Sequence, residues 1–115
     1  MKYVPAFQPT GRRNAWLCPG VEPEFAYVCT GDCMVPTFYP GELAYIHPQT
    51  TFEDGQVLAI KVDGYLMLKR VYHDPDGVRC VPDNPRHKPF KVKSASLEIV
   101  GVAVARGGDK VDCQF

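Results

Sequence analysis

The chain has 115 residues, which is enough for one compact domain with a hydrophobic core and too few for two. Hydrophobic residues make up 45% and charged residues 23%, as in ordinary soluble domains. Thirteen basic and thirteen acidic side chains cancel, so no bulk charge attracts the chain to nucleic acid or to an anionic membrane. No stretch has the roughly 18 to 20 apolar residues of a membrane span, and the N-terminus lacks the apolar core of a secretory signal. These features predict a cytoplasmic protein without a membrane anchor.

The cysteine content predicts free thiols rather than disulfides or a metal site. The five cysteines are an odd number and lack the close paired spacing of a zinc ribbon. Cys29 and Cys33 are four residues apart and could share a metal with one of the three histidines, but no second pair of residues at ligand spacing supports such a site. We therefore expect five reduced cysteines, no metal and no cofactor.

The first 24 residues are predicted to be irregular. Four prolines and two glycines interrupt every candidate helix or strand there. The segment 1–24 is therefore expected to be an irregular N-terminal segment or the remnant of a linker. It has no room for the three helices of a helix-turn-helix unit, so we expect this domain itself to make no contact with DNA.

From residue 25 onward, short β-prone runs alternate with turn signals. Asp63-Gly64 is typical of a hairpin turn, and proline closes several of the runs. No amphipathic helix of three turns is present in the pattern. The sequence predicts an all-β domain at 25–106, made of strongly bent, mostly antiparallel sheets, followed by a polar tail at 107–115. The seven predicted strands are 25–29, 42–47, 56–62, 65–72, 78–81, 90–92 and 97–105.

Cys33 is predicted to lie at a sharp corner between two extended segments. Gly31 and Asp32 form a turn directly before it, and Pro36 and Pro40 forbid a long helix after it. A corner of this kind presents a side chain together with backbone N–H groups, which is the arrangement a covalent catalyst needs. The alternative is a reduced cysteine buried in a tight turn, with no chemical role.

Lys69 is the candidate partner of Cys33. Alternation along the predicted strand places it on one face with Tyr65, Met67 and Val71. An apolar face removes water from the amine and favours its neutral form, which can act as a general base near pH 7. The alternative is a lysine whose stem lies on the sheet while its ammonium reaches water. Cys33 and Lys69 together would form a nucleophile–lysine dyad.

Several motifs of the chain resemble the C-terminal peptidase domain of LexA, phage CI-type repressors and UmuD. That family has a Gly-Asp-Ser-Met-x-Pro corner, a nearby Gly-Asp, a Val-Lys-Arg strand, a loop with Asn-Pro and a closing Val-Gly strand. The resemblance covers about residues 25 to 105, in matching order and spacing. The motifs that carry it are Gly31-Asp32-Cys33-Met34-Val35-Pro36, Gly41-Glu42, Lys69-Arg70, Pro82-Asp83-Asn84-Pro85 and Ile99-Val100-Gly101.

The resemblance implies a function and a set of site residues. It makes Cys33 the nucleophile, Lys69 the general base, and the backbone N–H groups of Cys33 and Met34 the oxyanion donors. It implies the autoproteolytic domain of a transcriptional repressor in SOS or prophage-type regulation. It further implies that the domain homodimerises and cleaves its own linker when a RecA-type recombinase filament acts as co-protease.

Two features depart from the family pattern. Cys33 replaces the family's serine, and the scissile Ala-Gly or Cys-Gly of the linker has no clear counterpart, Cys18-Pro19-Gly20 being the nearest. A thiol is larger and more acidic than a hydroxyl, so a thiolate–ammonium pair could form and prevent the lysine from acting as a base. The change favours reduced or absent cleavage. It is compatible with a cysteine enzyme, with a domain kept for dimerisation, or with an engineered loss of cleavage.

Two other functions compete with self-cleavage. The first is a non-catalytic homodimerisation module of a transcriptional regulator or of a UmuD-like mutagenesis protein, which the missing serine favours. The second is a signal-peptidase-like enzyme, because the stretch from Cys33 to Phe38 also resembles the Ser-Met-x-Pro-Thr-Leu corner of that class. Signal peptidases carry a membrane anchor, and this sequence shows none.

Overall fold

The computed structural model describes residues 24–107 in full and residues 3–5 and 111–112 by their backbone. Within these ranges the chain forms nine strands and one short 3-10 helix, Ser94–Ser96. All strand pairings are antiparallel, so the predicted all-β fold is confirmed. The strands are β1 (Tyr3–Pro5), β2 (Phe25–Val28), β3 (Leu43–Pro48), β4 (Val57–Val62), β5 (Tyr65–Asp74), β6 (Gly77–Val81), β7 (Phe90–Val92), β8 (Leu97–Gly107) and β9 (Val111–Asp112).

The strands form one sheet in the order β1-β2-β3-β8-β4-β5-β6-β7, with β9 paired to β8. The long strand β8 therefore lies between β3 and β4. It joins strands β1 to β3 on one side to strands β4 to β7 on the other. The pairing shifts register between Tyr45 and Ile46 in β3, and between Ala59 and Ile60 in β4. Such irregularities bend a strand and increase its local twist, which lets a single sheet curve around its core.

Strand β4 is buried on both faces, and its alternate side chains enter two different hydrophobic clusters. Val57 and Ala59 pack with Met34 and Phe38 of the corner region in the first cluster. Leu58 and Ile60 belong to the second cluster, which includes Val71 and Cys80 of β5 and β6. Because both faces are covered by apolar side chains here, residues 57–60 of β4 are a continuous hydrophobic run rather than an alternating one.

Gly101 in β8 allows this strand to approach β3 closely. A Cβ atom at this position would lie 2.3 Å from the backbone oxygen of His47 and 2.6 Å from the Ile46 side chain. No side chain larger than hydrogen fits that space, so glycine is required for the close approach of β3 and β8.

The two ends of the sheet differ in part from the sequence prediction. Tyr3–Pro5 pairs with β2 inside the segment that was predicted to be irregular, and Val111–Asp112 pairs with β8 inside the predicted polar tail. Residues 6–23, including Cys18-Pro19-Gly20, and most of the predicted tail lie outside the described residues. Within the described ranges, the chain contains no helix with the length and apolar character that a membrane crossing requires.

Candidate active site

Cys33 lies in the turn between β2 and β3, at the position that the sequence predicted. Gly31 has a φ of 71°, a conformation that glycine adopts readily, and this residue starts the turn. The N–H of Val35 donates to the carbonyl of Asp32 at 3.2 Å, and the N–H of Phe38 donates to that of Met34 at 2.9 Å. Phe38 and Met34 are buried in the first hydrophobic cluster. The corner is therefore anchored by two buried apolar side chains that follow the half-buried thiol.

Lys69, in the middle of β5, reaches the Cys33 thiol. Its Nζ lies 3.1 Å from the Cys33 Sγ and donates to the carbonyl oxygen of Leu68 at 3.0 Å. The side chain is buried, with an exposed fraction of 8%. Among residues 24–107, no carboxylate lies within ion-pair distance of this amine. The structure thus brings together the two residues predicted to form a dyad, in a setting poor in water and in compensating charge.

A cavity of about 80 Å³ opens beside the Cys33–Lys69 pair. Met67 and Leu68 of β5 line one side of it, although alternation predicts that these neighbours face opposite sides of the sheet. Apolar side chains predominate around the opening, so a peptide side chain held there would exclude water from the thiol. The lining also includes Tyr27, Cys29, Thr30, Met34 and Phe38.

Cys29 lines the same cavity as Cys33 but has a different character. It is buried, and burial, together with the nearby Glu42 and Cys33, raises the pKa of the Cys29 thiol to about 12. A thiol with so high a pKa is protonated at neutral pH and is a poor nucleophile. Of the two cysteines that line this cavity, Cys33 is the one whose thiol lies beside an amine.

A second loop, residues 82–85, is fastened to the Cys33 corner through Asn84. The backbone N–H of Asn84 donates to the carbonyl of Cys33 at 2.9 Å, and its Nδ2 donates to the carbonyl of Asp32 at 3.0 Å. Asn84 has an exposed fraction of 8%. In the sequence this residue is only part of the motif Pro82-Asp83-Asn84-Pro85, and the motif assigns it no role. The signal available in the sequence was an asparagine between prolines, which predicts a rigid loop but not its partner.

The same loop is fastened to β5 through Asp83. Arg70, next to Lys69, donates two hydrogen bonds to this carboxylate, from Nε to Oδ1 at 2.9 Å and from Nη2 to Oδ2 at 2.8 Å. Its Nη1 donates to the carbonyl of Gly55 at 2.6 Å. The Thr37 hydroxyl also donates to the Asp83 carboxylate. Burial alone would raise the pKa of Asp83, but the hydrogen bonds from Arg70 and Thr37 and the charge of Arg70 outweigh it and lower the pKa below its ordinary value.

Two of the histidines lie in exposed pairs with carboxylates. His87 Nε2 is 2.7 Å from Asp32 Oδ1, and His73 Nδ1 is 2.7 Å from Asp54 Oδ1. Within the part of the chain that the structure describes, no three His, Cys, Asp or Glu side chains are grouped so as to hold a metal ion.

The backbone N–H groups of Cys33 and Met34 are the predicted oxyanion donors. Both belong to the turn, outside any strand. Among the hydrogen bonds of residues 24–107, none uses either of these two N–H groups. Both donors are therefore left for a ligand or water.

Comparison with known proteins shows the family of the chain. The family model described as Peptidase S24-like matches residues 13–104. LexA repressor 2 of Geobacter sulfurreducens is 36% identical over 77 residues, which are 64% of this chain and 38% of that protein. LexA repressor of Anaeromyxobacter dehalogenans is 35% identical over 78 residues, 64% of this chain and 34% of that protein. LexA repressor 1 of Xanthomonas campestris pv. campestris is 30% identical over 95 residues, 78% of this chain and 47% of that protein.

The matched region spans less than half the length of each of these relatives. The family match covers most of the chain, including the corner with Cys33, the strand with Lys69 and the loop with Asn84. The chain therefore belongs to the peptidase S24-like family.

Proposed function

We propose that the chain is the autoproteolytic and dimerisation domain of a LexA-like transcriptional repressor, with Cys33 as nucleophile and Lys69 as general base. The observation that carries this proposal is the 3.1 Å separation of Lys69 Nζ and Cys33 Sγ beside a largely apolar cavity. A buried lysine without a carboxylate partner has little use in stability, because its desolvation is uncompensated. Contact with a nucleophile gives it a use in catalysis.

The reaction we propose is the hydrolysis of one peptide bond of the protein's own linker. Cys33 Sγ attacks the scissile carbonyl carbon, and its proton passes to Lys69 Nζ. The carbonyl electron pair moves to oxygen, and the oxyanion accepts hydrogen bonds from the N–H groups of Cys33 and Met34. The C–N bond then breaks, and Lys69 gives the proton to the leaving amine. Water hydrolyses the resulting thioester, which releases the carboxylate and restores the thiol.

The pair has two protonation arrangements, and they differ in what the lysine does. In the neutral arrangement the amine accepts the thiol proton during attack. In the charged arrangement the proton is already on the amine, and the thiolate attacks without further help from a base. Both arrangements hold the same number of protons. The thiolate of the charged arrangement can attack directly, whereas a serine at this position would need the neutral amine to accept its proton.

The proposal extends to the partners of LexA repressors. We propose that two copies associate through this domain and that a RecA-type recombinase filament promotes cleavage, either in an SOS response or in prophage-type regulation. The similarity to LexA repressors, together with the family match over residues 13–104, supports this part. Sedimentation tests the dimer: a strict monomer at tens of micromolar (about 10 to 100 μM) would reject a standard-size interface.

Self-cleavage is tested on the full natural protein. We expect two fragments by mass spectrometry after incubation between about pH 7 and about pH 10, with more cleavage when an activated filament is present. The Cys33→Ala variant is the control and should stay intact under every condition, because it lacks the attacking atom. A natural protein that also stays intact, both as the cysteine form and as Cys33→Ser, would reject catalysis and leave the non-catalytic dimerisation module.

A further inference from the structure

Asn84 makes hydrogen bonds to two successive carbonyl groups on either side of the nucleophile. Its Nδ2 donates to the carbonyl of Asp32 at 3.0 Å, and its backbone N–H donates to the carbonyl of Cys33 at 2.9 Å. These are the carbonyl groups of the peptide units 32–33 and 33–34. The N–H groups of the same two units are those of Cys33 and Met34, the proposed oxyanion donors.

Peptide geometry links the two observations. A peptide unit is planar and trans, so its C=O and N–H point in opposite directions. A donor that fixes the carbonyl on one side of the corner also fixes the direction of the N–H on the other side. A carbonyl that accepts a hydrogen bond also polarises its own peptide unit, which strengthens the N–H as a donor.

The orientation of the Asn84 amide is set by its second contact. The N–H of Arg86 donates to Asn84 Oδ1 at 3.0 Å. Exchanging the amide oxygen and nitrogen would place donor against donor at Arg86 and acceptor against acceptor at Asp32, so both contacts are satisfied in one orientation only. The neighbouring Asp83 is held to β5 by Arg70, which gives the loop a fixed base.

We propose that Asn84 is a positioning residue that aims the N–H groups of Cys33 and Met34 at the oxyanion of the reaction. This inference rests on the proposed function and adds to it the residue that organises its oxyanion site. Asn84 acts through the backbone and does not touch the reacting atoms. The carbonyl of Asp32 also accepts from Val35 at 3.2 Å, so the side chain of Asn84 shares the control of the first peptide unit.

The test compares two reactions of the Cys33 thiol that differ in one respect. With p-nitrophenyl acetate, Sγ attacks the ester carbonyl, an oxyanion forms, and p-nitrophenolate leaves as the thioester appears. With iodoacetamide, Sγ displaces iodide from a saturated carbon, and no oxyanion forms. Both rates are measured on the 115-residue chain by mass spectrometry of the peptide that contains Cys33. Their ratio cancels changes in thiol ionisation or in folded fraction, and isolates the oxyanion site.

Two variants and one control decide the outcome. Asn84→Ala removes the side chain, and Asn84→Asp keeps its shape and the acceptor for Arg86 but replaces the donor to Asp32 with an oxygen. We expect the acylation-to-alkylation ratio to fall about tenfold or more in both, since loss of one oxyanion donor costs about 10²–10³ in rate. His87→Ala removes an exposed side-chain contact to the Asp32 carboxylate and keeps the backbone bond from its N–H to the carbonyl of Asn84, so its ratio should match the natural chain.

Failure of this inference differs from failure of the proposed function. A natural chain whose ratio does not exceed that of N-acetylcysteine would show that no oxyanion site exists, which rejects the proposed function as well. A natural chain with an elevated ratio that both Asn84 variants retain would overturn the role of Asn84 alone. A fall of the same size in His87→Ala would also overturn it, because any loosening of the loop would then suffice. Should Asn84→Ala fail to fold, the Asn84→Asp ratio decides.

Discussion

Arg70 binds Asp83 through two parallel hydrogen bonds, at 2.9 Å and 2.8 Å, and this pair joins the strand that carries Lys69 to the loop that is bonded to the Cys33 corner. Arg70 follows Lys69 in β5, and Asp83 precedes Asn84, which holds the carbonyl of Cys33. The planar guanidinium fixes the direction of the carboxylate as well as its distance. The separation of Lys69 and Cys33 thus depends on a short, rigid chain of contacts.

The Arg70–Asp83 pair predicts a loss of stability in Asp83→Ala. The substitution leaves a guanidinium with 23% side-chain exposure without its carboxylate, so we expect a cost of about 2 to 4 kcal/mol in the free energy of unfolding. Urea unfolding measures it. Asp76→Ala, which breaks an exposed pair with Lys91, is the matched control and should change stability little. Equal effects of the two substitutions would contradict the structural role of Asp83.

The lowered pKa of Asp83 predicts acid sensitivity of a definite sign. A carboxyl whose pKa is lower in the folded chain binds fewer protons when folded, so its contribution is complete above the unfolded value of about 4 and is lost as pH falls through the folded pKa. The difference in unfolding free energy between the natural chain and Asp83→Asn should therefore shrink below about pH 4. A difference that stays constant down to about pH 2 would contradict the pKa direction.

The two cysteines of the cavity should differ in reactivity. The raised pKa of Cys29, about 12, keeps its thiol protonated, whereas Cys33 is half-buried and adjoins an amine. In the folded chain at neutral pH, iodoacetamide should label Cys33 and leave Cys29 unlabelled until urea unfolds the protein. Peptide mapping reads both sites in one sample. Labelling of Cys29 at the rate of Cys33 in the folded state would contradict the difference.

Gly101 predicts a large packing penalty in Gly101→Ala. The added Cβ would lie 2.3 Å from the backbone oxygen of His47, so β3 and β8 must separate, at an expected cost of about 3 kcal/mol or more. Gly41→Ala is the control: its φ of 91° strains an alanine by about 1 to 2 kcal/mol, but the space around it is open. Thermal or urea unfolding compares them, and a Gly101→Ala cost no greater than that of Gly41→Ala would be inconsistent with the β3–β8 contact.

The cysteine and serine forms should differ in their pH dependence. In Cys33→Ser the hydroxyl does not ionise, so attack requires a neutral Lys69 amine, and the cleavage rate should rise by up to about tenfold per pH unit from neutral pH. The cysteine form attacks through either protonation arrangement and should show a flatter profile between about pH 7 and about pH 9. The cleavage rate of the full protein, measured across this pH range in the cysteine form and in Cys33→Ser, gives both profiles. Equal slopes of cleavage rate against pH in the two forms would show that the thiol, too, attacks only when the Lys69 amine is neutral.

Strand positions could be predicted from the sequence because each run is bounded by strong turn signals. Asp63 adopts a φ of 51° and Gly64 a φ of 82°, as the hairpin between β4 and β5 requires. The order of the strands was not predicted, since β8 inserts between β3 and β4 from a distant part of the chain. Such long-range pairing depends on matching hydrophobic faces rather than on local signals.

The site could be predicted in its two reactive side chains but not in its support. Cys33 and Lys69 were identified from a turn and a strand pattern, and the structure places them in contact. The hydrogen bonds from Asn84 to the backbone carbonyls beside Cys33 could not be predicted, because every residue carries the same backbone acceptor and the sequence does not show which one is used. The hydrogen bond from Lys69 Nζ to the carbonyl of Leu68 could not be predicted for the same reason.

Acylation of Cys33 in the Lys69→Met variant tests the central claim most directly. Methionine keeps the length and apolar stem of the lysine and removes its amine, so folding should be retained, as urea unfolding can verify. We expect the rate of thioester formation with p-nitrophenyl acetate, measured on the Cys33 peptide at neutral pH, to fall about 10²-fold or more. A Lys69→Met chain that is acylated at the rate of the natural chain would contradict the dyad.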